Sequence, residues 1–94
     1  MIVSDLLAEL TPATIGLEIH AIKGETVKPV FVAEDIWKPR PPWRIPARSG
    51  YEAVRRAFLA DHPQSKFRSL LFLYAPIENT RLKNDKLYVL IRGD

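Results

Sequence analysis

The chain has 94 residues, 47% apolar and 27% charged, with a formal net charge of +3; this is enough apolar material for one small core and too little chain for a second domain. It has no cysteine, which excludes disulfides, thiolate metal sites and a cysteine nucleophile, and its two histidines are too few to hold zinc unaided. No apolar run approaches the roughly eighteen residues that cross a bilayer, and Met1-Ile2-Val3-Ser4-Asp5 lacks the basic start of a secretory signal, so the expectation is a cytoplasmic protein with no membrane partner.

Ile2, Val3, Leu6, Leu7 and Leu10 recur at three- and four-residue spacing, which predicts a short N-terminal helix that Thr11-Pro12 stops. From Thr14 to Lys23 the period becomes two. Ile15, Leu17, Ile19 and Ala21 then share an inward face and Gly16, Glu18 and His20 the outer one, as in a half-buried strand. Gly24 marks a turn, and Val27, Val30, Phe31, Val32 and Ala33 supply a second strand that pairs back on the first. Pro29 cannot donate to a ladder and places this strand at an edge.

Residues 38–46 hold four of the eight prolines and predict a stiff, extended connection within a Pro/Arg/Trp-rich segment at about 37–48. Ser49 and Glu52 then match a capping box, so a helix is expected over about 50–61. Tyr51, Val54, Ala57 and Phe58 form its apolar stripe, Pro63 limits it, and His62 favours its C-terminal end. The apolar run Leu70-Leu71-Phe72-Leu73-Tyr74 reads as a central strand covered on both faces. Lys86 to Arg92 alternates again, with Leu87, Val89 and Ile91 inward; Asn84-Asp85 suits a hairpin turn, which makes Thr80 to Lys83 the partner strand. The expected architecture is α+β: a single domain spanning 1–94, with a largely antiparallel sheet of four to five strands, one covering helix at about 50–61 and a short N-terminal helix.

Charge is unevenly distributed. Residues 1–35 carry two lysines against six carboxylates, whereas residues 36–68 carry eight cations against Glu52 and Asp61. Within that basic third, Trp37 and Trp43 alternate with Lys38, Arg40 and Arg44, offering flat rings for stacking and cations for phosphate; Arg48 comes next, and Arg55 flanks the helical stripe with no local partner. These seven residues are the candidate binding set. The competing arrangement is a crossover loop whose tryptophans fold back on the core. Pro39-x-x-Pro42-x-Arg44 also fits a polyproline ligand pattern. Arg56, four residues after Glu52, reads as a surface ion-pair partner whose removal costs little.

Catalytic signals are weak. Glu18-x-His20 sets a carboxylate beside an imidazole, as a general base would need, but also as an ordinary polar face would. Glu34-Asp35 does not match a calcium loop, and the glycines are scattered at 16, 24, 50 and 93, so no phosphate cradle, metal site or cofactor is expected. The residues support three functional readings. The first is a small non-catalytic accessory or regulatory protein that binds a protein partner or forms a homodimer, through the Trp/Arg/Pro segment and open sheet edges at the Pro29 strand and the C-terminal strand. The second is a nucleic-acid-binding module using Arg40, Arg44, Arg48, Arg55 and Arg68 against phosphates. The third is a small enzyme using Glu18 and His20.

Overall fold

The computed structural model describes residues 1–62 and 67–93, with the side chains of 67–69 outside the described set. In chain order they form helix α1 (Val3–Ala8), strands β1 (Gly16–Lys23) and β2 (Thr26–Ala33), helix α2 (Gly50–Asp61), a 3-10 helix (Phe67–Tyr74), and strands β3 (Ile77–Lys83) and β4 (Lys86–Arg92). Two hairpins build the sheet, each around a two-residue turn. In one, Gly24 takes a φ of 64° between paired Lys23 and Thr26; in the other, Asn84 takes a φ of 59° between paired Lys83 and Lys86. Glycine and asparagine are the residues that occupy this left-handed region at low cost.

The hairpins lie side by side in the order β2-β1-β4-β3. Both outer pairings are antiparallel and the central pairing, β1 with β4, is parallel, so the sheet is mixed but mostly antiparallel. A parallel pair needs a long crossover, and here everything from Glu34 to Pro76 provides it. Pro29 lies on an edge strand as expected, opposite His20 where the register shifts. The C-terminal strand is not an edge: β4 is paired on both sides and β3 takes the outer position. The side chains account for this. β4 has Leu87, Val89 and Ile91 buried on one face and Tyr88 and Leu90 half-buried on the other, whereas Glu78 to Lys83 of β3 is exposed throughout.

The expected central strand at Phe67–Tyr74 is instead the 3-10 helix. Leu70 and Leu73, three residues apart and thus one turn apart in such a helix, are both buried, while Leu71 is 55% exposed. A strand would have set Leu70 and Leu73 on opposite faces. A short unbroken apolar run does not distinguish the two by pattern alone. The sheet therefore has four strands.

α1 is also shorter than the periodicity implies. It ends at Ala8, and Glu9 and Leu10 close with three-residue bonds to the carbonyls of Leu6 and Leu7. Ile15, expected inward, is exposed because β1 begins only at Gly16. The Ile15 backbone nonetheless bridges two loops, donating to Asp85 O at 2.8 Å and accepting from Ile36 N at 2.9 Å.

α2 starts where its sequence predicts, with the serine half of the capping box formed: Ser49 Oγ accepts from Glu52 N at 3.2 Å, and at the other end the ring of His62 stacks on Phe58. The Glu52 carboxylate pairs with Arg56. Gly50 is buried where α1 crosses α2, and a Cβ there would stand 2.4 Å from the Leu7 carbonyl oxygen. Val54 and Phe58 are buried, as the stripe requires, joined by Ala53 and Ala57; Tyr51 sits at the margin. Phe72 packs between Phe58 and Phe31, at ring-centre distances of 5.5 and 6.3 Å, and so links helix, 3-10 turn and sheet in one core. The face of the sheet away from the helices presents Glu18, His20, Ile22, Tyr88 and Leu90, all half-buried.

Candidate functional site

The connection from β2 to α2 folds back on the body of the protein. Ile36 is buried and anchors it, and the Trp37 backbone N–H donates to Asp35 Oδ1 at 2.9 Å. The Trp37 indole packs against the core and donates Nε1–H to Thr14 O at 2.8 Å. Arg40 curls over the same turn and donates to three carbonyls, those of Asp35, Ile36 and Lys38, at 2.9 to 3.1 Å. Trp37 and Arg40 therefore hold the crossover in shape. Prolines supply no backbone N–H to such a segment, which leaves carbonyls for an arginine fork to satisfy.

Arg56 of α2 closes the arrangement from the other side. Its guanidinium donates to Ile45 O in the crossover, pairs with Glu52 and lies 5.7 Å from the centre of the Trp43 ring. The sequence identifies the Glu52 partner correctly but misplaces the residue on the surface, since the Arg56 side chain is only 15% exposed. Helical periodicity puts Arg56 on a flank of α2; only the path of the crossover makes that flank an interior wall.

Two concavities meet at the Trp43–Arg56 pair. The first, about 170 Å³, lies between the crossover and α2; it is walled by Trp37, Lys38, Arg40, Trp43, Arg44 and Arg56 over a floor that includes Ile36 and Ala53. Among the described residues no carboxylate lines it. The second, about 390 Å³, is bounded by Trp43, Tyr51, Glu52, Arg55, Arg56 and Leu59. There the Arg55 guanidinium stands 6.0 Å from the Tyr51 ring centre, and the Tyr51 hydroxyl meets that of Tyr74 at 3.4 Å. That hydrogen bond, with partial burial second, raises the Tyr51 phenol above its usual range.

The structure thus brings Trp37, Lys38, Arg40, Trp43 and Arg44 to one pocket and Arg55 to its neighbour. Arg48 is exposed just before α2 and lines neither. Arg68 lies outside the residues whose side chains are described. Lys38, Arg44 and Arg48 have no side-chain partner among the described residues.

Glu18 and His20 lie elsewhere, on the open sheet face. His20 Nε2 is 2.9 Å from Glu18 Oε1, and Lys86, one strand over, reaches Glu18 Oε2 at 2.5 Å. The Lys86 ammonium, then the His20 contact, holds the Glu18 carboxyl below its usual range; the same pairing raises Lys86. A carboxylate held ionised by an adjacent ammonium is a weak proton acceptor, and neither pocket includes it. Among the described residues no group of three or more His, Asp or Glu side chains is placed to hold a metal ion, and no helix is long and apolar enough to cross a membrane.

Compared with known proteins, the chain matches no family model, and no curated protein or solved structure is detectably similar to it.

Proposed function

We propose that the chain is a non-catalytic module that binds nucleic acid through the face formed by the crossover and α2. The observation that carries this reading is the first pocket: four cationic side chains converge there beside the Trp43 ring, with no carboxylate among the described residues that line it. Lys38, Arg44 and Arg48 stand exposed around it, with Arg55 over the adjoining cleft. Cations along a groove, interleaved with aromatic rings, are what phosphates and unstacked bases bind. Docking a protein through the tryptophans is less well supported, because the Trp37 indole N–H is already bonded to Thr14 and the ring is packed on the core.

The test is affinity for single- and double-stranded nucleic acid over a salt series. Four exposed cations, each releasing about 0.7–0.9 of a counterion, give a log–log slope of about −3 to −4. Substituting Arg44, Arg48 and Arg55 by glutamine removes most of that slope. Undetectable binding at about 50 mM salt, where such contacts are strong, excludes the proposal.

A second reading has its own observation. β2 and β3 are both edge strands, and Val27, Val32 and Leu82 on them are exposed. Free ladder groups beside exposed apolar side chains support pairing with a second copy or a partner strand. A light-scattering mass of about twice 10.7 kDa supports self-pairing; a monomer mass at tens of micromolar excludes the homodimer.

A further inference from the structure

We infer that the pocket between the crossover and α2 seats a single phosphomonoester, so that the module grips the phosphorylated end of a nucleic-acid strand and not only its interior. This rests on the nucleic-acid reading and assigns its most specific contact.

Size comes first. At about 170 Å³ the pocket is well below the roughly 300–1,000 Å³ of sites that enclose a whole small molecule. It has room for a charged group at the end of a ligand. The adjoining cleft, about 390 Å³ and edged by Tyr51 and Leu59, falls within that range and suits a nucleoside. The two share Trp43 and Arg56 as a common border, so a terminal nucleotide can place its phosphate on one side of that border and its sugar and base on the other.

Charge separates the two spaces in the same sense. The Glu52 carboxylate lines the cleft, where it pairs with Arg56, whereas the charged side chains among the described residues that line the pocket are all cationic. Donor capacity remains after the internal bonds are counted. Of the five N–H groups of a guanidinium, Arg40 uses three on carbonyls and Arg56 two, on Ile45 and Glu52. Lys38 and Arg44 have no side-chain partner among the described residues. A phosphomonoester carries about −1.5 to −2 at neutral pH and three acceptor oxygens, against −1 for an internal diester. Lys38, Arg40 and Arg44, the pocket cations that pair with no carboxylate among the described residues, favour the higher charge, and a small concavity favours a group with only one covalent attachment leading out. Arg40 and Arg56 are held in place by their carbonyl bonds, so little side-chain freedom is lost on binding.

The experiment uses the full chain, whose two tryptophans both line the pocket and report by fluorescence. Probes are one short oligonucleotide with a hydroxyl or a phosphate at its end, the matching nucleoside monophosphate, inorganic phosphate and a phosphoserine peptide. The phosphorylated oligonucleotide is expected to bind about tenfold or more tightly than the hydroxyl form, the effect of one charge-assisted hydrogen bond or more. Lys38→Gln with Arg44→Gln, both at exposed positions, should abolish the preference, while Lys28→Gln on β2 should leave it intact; inorganic phosphate should compete only with the phosphorylated form. Equal affinity for the two ends overturns the inference but leaves the nucleic-acid reading standing. No binding of either oligonucleotide overturns both. A phosphoserine peptide bound as tightly as the phosphorylated oligonucleotide overturns the nucleic-acid source of the phosphate.

Discussion

Replacing Arg56 by alanine tests how the crossover is held against α2. The side chain makes a hydrogen bond to Ile45 O, an i,i+4 ion pair with Glu52 and a ring contact with Trp43 at 5.7 Å. A hydrogen bond from a charged donor contributes about 1–1.5 kcal/mol when its acceptor is near solvent, as Ile45 is at 67% exposure. The helical ion pair adds about 0.3–0.5 kcal/mol and the ring contact about 0.5–1 kcal/mol. Arg56→Ala should therefore lose about 2–3 kcal/mol in urea unfolding followed by tryptophan fluorescence. Glu52→Gln removes only the ion pair and should lose about 0.5 kcal/mol or less. Arg56→Lys should fall between the two, since an ammonium keeps the charge but not the fork that spans two acceptors. If Arg56→Ala and Glu52→Gln unfold at the same midpoint, Arg56 is a surface ion-pair partner after all and the pocket has lost a wall.

Gly50→Ala should destabilise by about 1–3 kcal/mol in thermal unfolding, as overpacking does, because its Cβ would meet the Leu7 carbonyl oxygen at 2.4 Å; an unchanged melting point would mean the helices separate freely. Phe58→Ala should lose about 3–5 kcal/mol, since Phe58 is buried against Phe72, and a loss under about 1 kcal/mol in urea would displace it from the core. Glu18 has its pKa lowered by Lys86 and then His20, so its contribution is fully present above the ordinary value of 4.5 and is lost as pH falls through the lower folded value. Glu18→Gln should flatten the acid limb of stability against pH in that window, and an unchanged limb counts against the pairing.

Most of the fold is legible where side-chain period and backbone chemistry agree. Ser49 can cap only a helix that starts immediately after it, and α2 begins at Gly50. Leu87, Val89 and Ile91 alternate, and β4 buries all three. The positive φ at Asn84 falls where a two-residue turn is needed. Legibility ends where a pattern is compatible with two structures or depends on distant neighbours. Leu70 to Tyr74 is apolar at five successive positions, so a period of two and a period of three both meet apolar residues at every phase and the pattern selects neither. The order of strands is set by which hairpin edges meet across the crossover, and no local signal in β4 states that it will pair with β1.

The site is legible in its composition and not in its division of labour. A string of Trp and Arg residues marks the crossover whatever they do, but a cation becomes a ligand contact only if its donors remain unused after folding. Arg40 lies five residues after Asp35 in a proline-rich turn with carbonyls to satisfy, and it turns inward onto three of them; Arg44, four residues on, has no such partner. Nothing in their sequence context separates the two, since each is flanked by proline or tryptophan. The separation arises from the backbone path, which aims the carbonyls of Asp35, Ile36 and Lys38 at one guanidinium and leaves the next facing the pocket. A held arginine beside an uncommitted one is a useful pairing for recognition. The first keeps the pocket open in the absence of ligand, and the second supplies donors whose alternative partner is only water.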